Sequence, residues 1–174
     1  MSAFLVWFVL SVPHVSAAPD TTARTYLIAT DVLCVLFPSE CPAIARADNG
    51  DTVEITGMGT FTPHPKLATG AGTFVHKSPG GAVIASGTWE ALELISFKSY
   101  GTSALFPATF EGGRATLRIL LSVSGTPVSE GVLQVDCLVG NPPAGAVEGV
   151  RLVVQAFDFN FNKEVSGVTL FLLP

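Results

Sequence analysis

The chain has 174 residues, 48% of them hydrophobic and 13% charged, which is too apolar for a disordered segment and the size of one domain. Its formal net charge is −5 and its nine Lys and Arg residues fall singly along the sequence, so no basic patch is present to hold nucleic acid. Beyond the first apolar block, no uninterrupted apolar run reaches the roughly 18 residues that a membrane-spanning helix needs.

In chain order, Ala3–Val12 forms an apolar block, and Val15-Ser16-Ala17 or Ser16-Ala17-Ala18 after it offers the small side chains of a signal-peptidase site. A second candidate follows: Arg24 precedes the apolar stretch Tyr26–Phe37, and Ala45-Arg46-Ala47 ends in Ala-x-Ala. The first block lacks a basic residue before it, and the second carries Asp31 inside it. The reading favoured by the sequence is removal of a secretion leader over residues 1–47, because regular strand alternation starts only at Asp51. Residues 18–47 are the ambiguous part, with an ordered N-terminal segment over Thr21–Ile44 as the alternative. The remainder, 48–174, is expected to be a single secreted, extracellular domain.

Cys34 and Cys41 lie in the ambiguous part and Cys137 in the β region. If 18–47 stays, a local Cys34–Cys41 bridge is available and Cys137 is left free. Cys137 alternates with Leu133 and Val135 on one strand face, the pattern of a buried, inert thiol.

From Asp51 onward the sequence reads as strands. Gly59-Thr60-Phe61, Gly72-Thr73-Phe74 and Gly87-Thr88-Trp89 form a loose repeat, and the segments between them, Thr62–Lys66 and Lys77–Gly81, are rich in turn residues. The three strands therefore form an antiparallel meander. Glycines inside strands weaken them, and the reading given to Gly57, Gly59, Gly70, Gly72 and Gly87 is tight curvature in a closing barrel. Arg114–Val123 alternates apolar and polar residues as a half-buried strand does, and Gly131–Val139, Val150–Phe157 and Val165–Leu172 follow in the same style. Ser99–Gly113 reads as a long irregular loop. The alternating Phe157-Asp158-Phe159-Asn160-Phe161-Asn162 reads as a lid or as aromatic closure of the core.

Catalytic constellations are sparse. Once a leader is removed only His64 and His76 remain as histidines, both in positions suited to a solvated ring, and there is no Gly-x-Ser-x-Gly elbow. No ligand pair seeds a metal site, and no cofactor motif is found. Glu90 and Glu93, three apart, fall on opposite faces of a regular strand, where paired carboxylates are hard to assemble. Should a cavity exist, the residues expected at its wall or rim are Glu54, Trp89, Tyr100, Arg118 and Arg151.

The stretch from Asp48-Asn49-Gly50-Asp51-Thr52 through the Gly-Thr-aromatic units to Phe161-Asn162-Lys163-Glu164-Val165-Ser166-Gly167 resembles small secreted microbial and fungal proteins without an assigned function. At fold level the glycine-rich meander looks like the short barrels of the allene oxide cyclase and dirigent type, and less closely like lipocalins. No catalytic residue of those families matches a position here. The expected fold is all-β, a single antiparallel barrel of about seven or eight strands, with a two-sheet sandwich as the alternative. The expected function is non-catalytic binding of a small apolar ligand in the barrel. The alternatives are a structural or surface-interaction protein meeting a cell-surface component, and a cofactor-free cyclase or isomerase of the resembling type.

Overall fold

A computed structural model describes residues 18–157 and 159–174; the apolar block Ala3–Val12 and the motif Val15-Ser16-Ala17 lie outside them. The strands are β1 (Arg24–Ile28), β2 (Ala43–Arg46), β3 (Thr52–Thr62), β4 (Leu67–Lys77), β5 (Val83–Thr102), β6 (Phe110–Val123), β7 (Thr126–Cys137), β8 (Gly149–Val154), β9 (Phe159–Phe161), β10 (Lys163–Ser166) and β11 (Thr169–Leu172). One short helix, α1 (Val32–Leu36), lies between β1 and β2. Among the described residues no helix is long and apolar enough to cross a membrane.

All eleven strands join one sheet, and every strand pair is antiparallel. The expected meander is there: β3, β4 and β5 pair in succession. Beyond it the expected architecture is corrected. Six strands, β3–β1–β11–β6–β5–β4, pair in a ring over part of their length, and two arms, β2–β10 and β7–β8–β9, branch away from it. The sheet therefore does not close into a barrel of seven or eight strands, and among the described residues there is no second sheet to make a sandwich.

The cause is visible in the register. One edge of β3 is shared, by β2 over Thr52–Ile55 and by β1 over Gly57–Phe61. One edge of β6 is shared in the same way, by β11 at Phe110 and Glu111 and by β7 from Gly113 onward. Because β1 and β11 are only five and four residues long, they bridge the ring at one end, and the longer strands splay into the two arms beyond it. Across the splay, β2 and β10 pack against β8, burying Ala43, Ala45, Val150 and Leu152.

Inside the ring an aromatic cluster fills the space. Tyr26, Phe61, Trp89 and Phe171 are buried, and Phe61 lies 4.7 Å from Phe97 and 5.6 Å from Phe171 between ring centroids, within the range where aromatic pairs attract beyond simple burial. Their polar atoms find partners: Trp89 Nε1 donates to Thr56 O at 3.0 Å and the Tyr26 hydroxyl to Thr69 O at 3.1 Å. The strand glycines serve these rings rather than barrel closure. A Cβ at Gly59 would come within 2.6 Å of the Tyr26 hydroxyl, and one at Gly72 within 2.6 Å of Trp89 Nε1.

Two further expectations change. The irregular stretch Ser99–Gly113 shrinks to the seven-residue connection between Thr102 and Phe110, because β5 runs on through three register shifts. One shift, between Ala91 and Glu93, places three residues of β5 opposite two of β6, so Glu90 faces Leu120 and Glu93 faces Arg118. An extra residue in one strand resets the side-chain alternation; Glu90 and Glu93 are both exposed on the same face.

Cys34 and Cys41 form a disulfide and Cys137 is a buried free thiol. Burial, reinforced by the Glu148 carboxylate, pushes the Cys137 thiol up to about 12. Only the thiolate attacks disulfides, so native protein at about pH 8 should leave DTNB unreacted. Unfolding in denaturant should then release one thiol per chain; release at a comparable rate from native protein would contradict this burial.

Candidate functional site

At the splayed end of the molecule, where the β4–β5 turn, the β6–β7 hairpin and the chain after β8 meet, the inner face of the sheet is left uncovered. An apolar cleft of about 240 Å³ forms there. Its depth is set by Val53, Phe74 and Phe161, and its mouth by Ile84, Val128 and Phe157. Exposure rises along the alternating aromatic run, from buried Phe161 through half-buried Phe159 to exposed Phe157. These three rings, expected from the sequence in a lid or a core closure, form one wall of the cleft.

Among the described residues, His76 is the single ionisable side chain in the lining. It is buried rather than solvated as its sequence position suggested. Its Nε2 lies 2.9 Å from Asp51 Oδ2, and its ring meets the edges of Phe159 and Phe161 at 4.8 and 5.2 Å. Asp51 is fixed in turn: its N–H donates to the Asn49 side chain at 3.0 Å and its carbonyl accepts from Ala47 N at 2.9 Å. The pair holds the aromatic wall against β4, and no hydroxyl or thiol stands beside it in the lining. The signal available in the sequence was the alternation Phe74-Val75-His76, which puts Phe74 and His76 on the inner face; nothing local pointed to Asp51 as the partner.

The backbone around the cleft is also incompletely paired. Residues Val83–Gly87 of β5 pair with β4 only, since pairing with β6 begins at Thr88. Residues Thr126–Glu130 of β7 pair with β6 only, since pairing with β8 begins at Gly131. β9 ends its arm. Among the described residues, three strand edges without a pairing strand thus border one apolar surface, which is the arrangement that accepts an added strand.

The five residues singled out from sequence are dispersed, and none lines this cleft. Trp89 is buried in the ring. Tyr100 is buried with its hydroxyl 3.2 Å from Asp136 Oδ1, and burial together with that carboxylate raises its phenol above the usual value. Arg118 is an exposed link between Glu93 and Glu130, 3.0 Å from each. Arg151 pairs with Glu164 at 2.5 Å, joining β8 to β10. Glu54 pairs with Lys77 on the outer face of β3, beside a shallow recess formed with Cys34, Cys41 and Pro42.

A second polar cluster is a tie between chain segments. Glu148 accepts from Leu138 N at 2.7 Å, Thr169 N at 2.9 Å and the Thr169 hydroxyl at 2.8 Å, fastening the loop after β7 to β11. Burial raises its carboxyl above the ordinary range. No group of three or more potential metal ligands converges among the described residues.

Two functional expectations are corrected here. Ligand binding in a barrel lumen and cavity catalysis of the cyclase type both require a closed barrel, whereas the ring is partial and its interior is filled by aromatic side chains. The likeness to allene oxide cyclase and dirigent barrels has no support in this topology. Comparison with family models, with curated proteins and with solved structures finds no match for the chain.

Proposed function

We propose that this chain is an exported interaction protein whose end cleft docks an apolar, extended segment of a partner polypeptide at a cell surface. The observation that carries the reading is the coincidence of an apolar cleft with three unpaired strand edges. Size argues the same way. About 240 Å³ falls below the roughly 300–1,000 Å³ of sites that engulf a small molecule, and suits one or two apolar side chains of a strand lying along the rim. Export is supported by the Cys34–Cys41 disulfide, a bond that persists in oxidising compartments, and by the apolar block at the N-terminus. We further propose that the leader ends before Arg24 and that residues 24–47 stay with the domain.

The test is selection from a random peptide display library followed by titration of the enriched peptides. Enriched sequences should alternate apolar residues. Ile84→Glu and Phe157→Ser, both at exposed positions, should weaken their binding about ten-fold or more, equivalent to about 1.4 kcal/mol. No enrichment, or binding indifferent to both substitutions, would overturn the proposal.

A further inference from the structure

A different surface carries an independent inference. Between β1 and β2 the chain makes a compact excursion, α1 followed by a 3-10 turn at Pro38–Glu40, closed at its base by the Cys34–Cys41 disulfide. Its tip presents Val32, Val35, Leu36 and Phe37, which are 48, 80, 62 and 49% exposed. Side chains of this kind are normally interior. The loop is nevertheless held firmly: Leu33 is buried as its root, and the Glu40 carboxylate accepts the Gly167 N–H at 3.0 Å.

We propose that this loop is a membrane-docking element that sinks its apolar tip reversibly into the interface of a zwitterionic lipid bilayer. Three features select that occupant. First, the tip's backbone is already paired internally. Leu33 N donates to Thr30 O, Cys34 N to Asp31 O, Phe37 N to Leu33 O and Glu40 N to Phe37 O, at 2.8 to 3.2 Å, and Pro38 has no N–H. Entry into lipid therefore strands few donors, which is the condition a bilayer imposes. Second, four side chains about half exposed offer on the order of 400 Å², half of the roughly 800 Å² per partner that a stable protein dimer buries. Third, the charges on the loop are Asp31 and Glu40, no Lys or Arg occurs between Arg24 and Arg46, and the whole chain is acidic. Attraction to anionic headgroups is thus absent, and the apolar contact alone must hold.

The experiment is co-sedimentation of the disulfide-intact protein with phosphatidylcholine vesicles and with vesicles of equimolar phosphatidylcholine and phosphatidylserine. Binding to the first and weaker binding to the second is expected, with Leu36→Asp lowering the partition coefficient about ten-fold or more. Leu36→Trp should bind at least as well and shift its emission to the blue on vesicles, since indole favours the interface. Absence of binding to phosphatidylcholine, preference for the anionic vesicles, or binding unaffected by Leu36→Asp would overturn the proposal. So would self-association in ultracentrifugation that Leu36→Asp abolishes, which would assign the patch to a second copy of the chain.

Discussion

A chain that begins at Asp48 should fail to fold, whereas one that begins at Pro19 should fold. The difference lies in β1 and β2. β1 is the strand that joins β3 to β11, so without it the ring of pairings opens and both neighbours lose a hydrogen-bonded edge. Tyr26 and Ile28 are completely buried and Leu27 nearly so, as are Ala43 and Ala45 of β2. Emptying the space of one large buried side chain costs about 2–5 kcal/mol. Removing Arg24 also strands Glu111, whose carboxylate it meets at 2.5 Å with both groups buried, and breaking a buried pair from one side costs about 3–5 kcal/mol. These losses together exceed the roughly 5–15 kcal/mol that holds a domain folded. Circular dichroism and amide hydrogen exchange on the two chains are the measurement. A folded, cooperatively melting Asp48 chain would show that β1 is dispensable, and would restore cleavage after Ala47 as the processing site.

That result bears on how far the sequence could be read. All-β content, the β3–β4–β5 meander and the alternation in β6 are legible because a half-buried strand repeats every two residues; the strand read over Val165–Leu172 is divided in the structure into β10 (Lys163–Ser166) and β11 (Thr169–Leu172). β1 is not legible in this way. Tyr26, Leu27 and Ile28 are buried in succession, so the strand shows no alternation and, behind Arg24, reads as the start of a leader's apolar core. The bulges in β5 leave no local mark, and so the shared face of Glu90 and Glu93 was hidden. The ring and its arms depend on which short strand takes which half of a long edge, a non-local competition that periodicity does not express. At the cleft, the Phe157–Phe161 alternation was visible as an anomaly. The burial of His76 was not, because it depends on Asp51, 25 residues earlier, and on Phe159 and Phe161 of β9 packing against its ring.

Substituting Gly57 by Ala should be among the most damaging single changes in the molecule, although it adds one methyl group. Gly57 and Gly72 face each other across β3 and β4, and Trp89 is the registered neighbour of Gly72 on β5. The indole lies flat over both glycines while its N–H reaches Thr56 O. A Cβ at Gly57 would overlap Trp89 Cζ2 and stand 2.6 Å from Ala71 O. The ring cannot tilt away without losing its hydrogen bond and colliding with the neighbouring aromatics, and the backbone oxygen belongs to the β3–β4 ladder. Overpacking of a core typically costs 1–3 kcal/mol; with a rigid ring and a backbone atom both in the way, about 3 kcal/mol is expected. Trp89→Ala should cost about 3–5 kcal/mol through the cavity it leaves. The double variant separates the two obstacles. If the indole is the main one, Gly57→Ala becomes milder once Trp89 is gone, and urea denaturation shows a coupling of about 1 kcal/mol or more between sites in contact. If Ala71 O dominates, the two losses add. Gly57→Ala within about 0.5 kcal/mol of the parent, the range of an ordinary surface substitution, would mean that the indole does not cross the sheet there. The glycines would then need the explanation from curvature that this packing replaces.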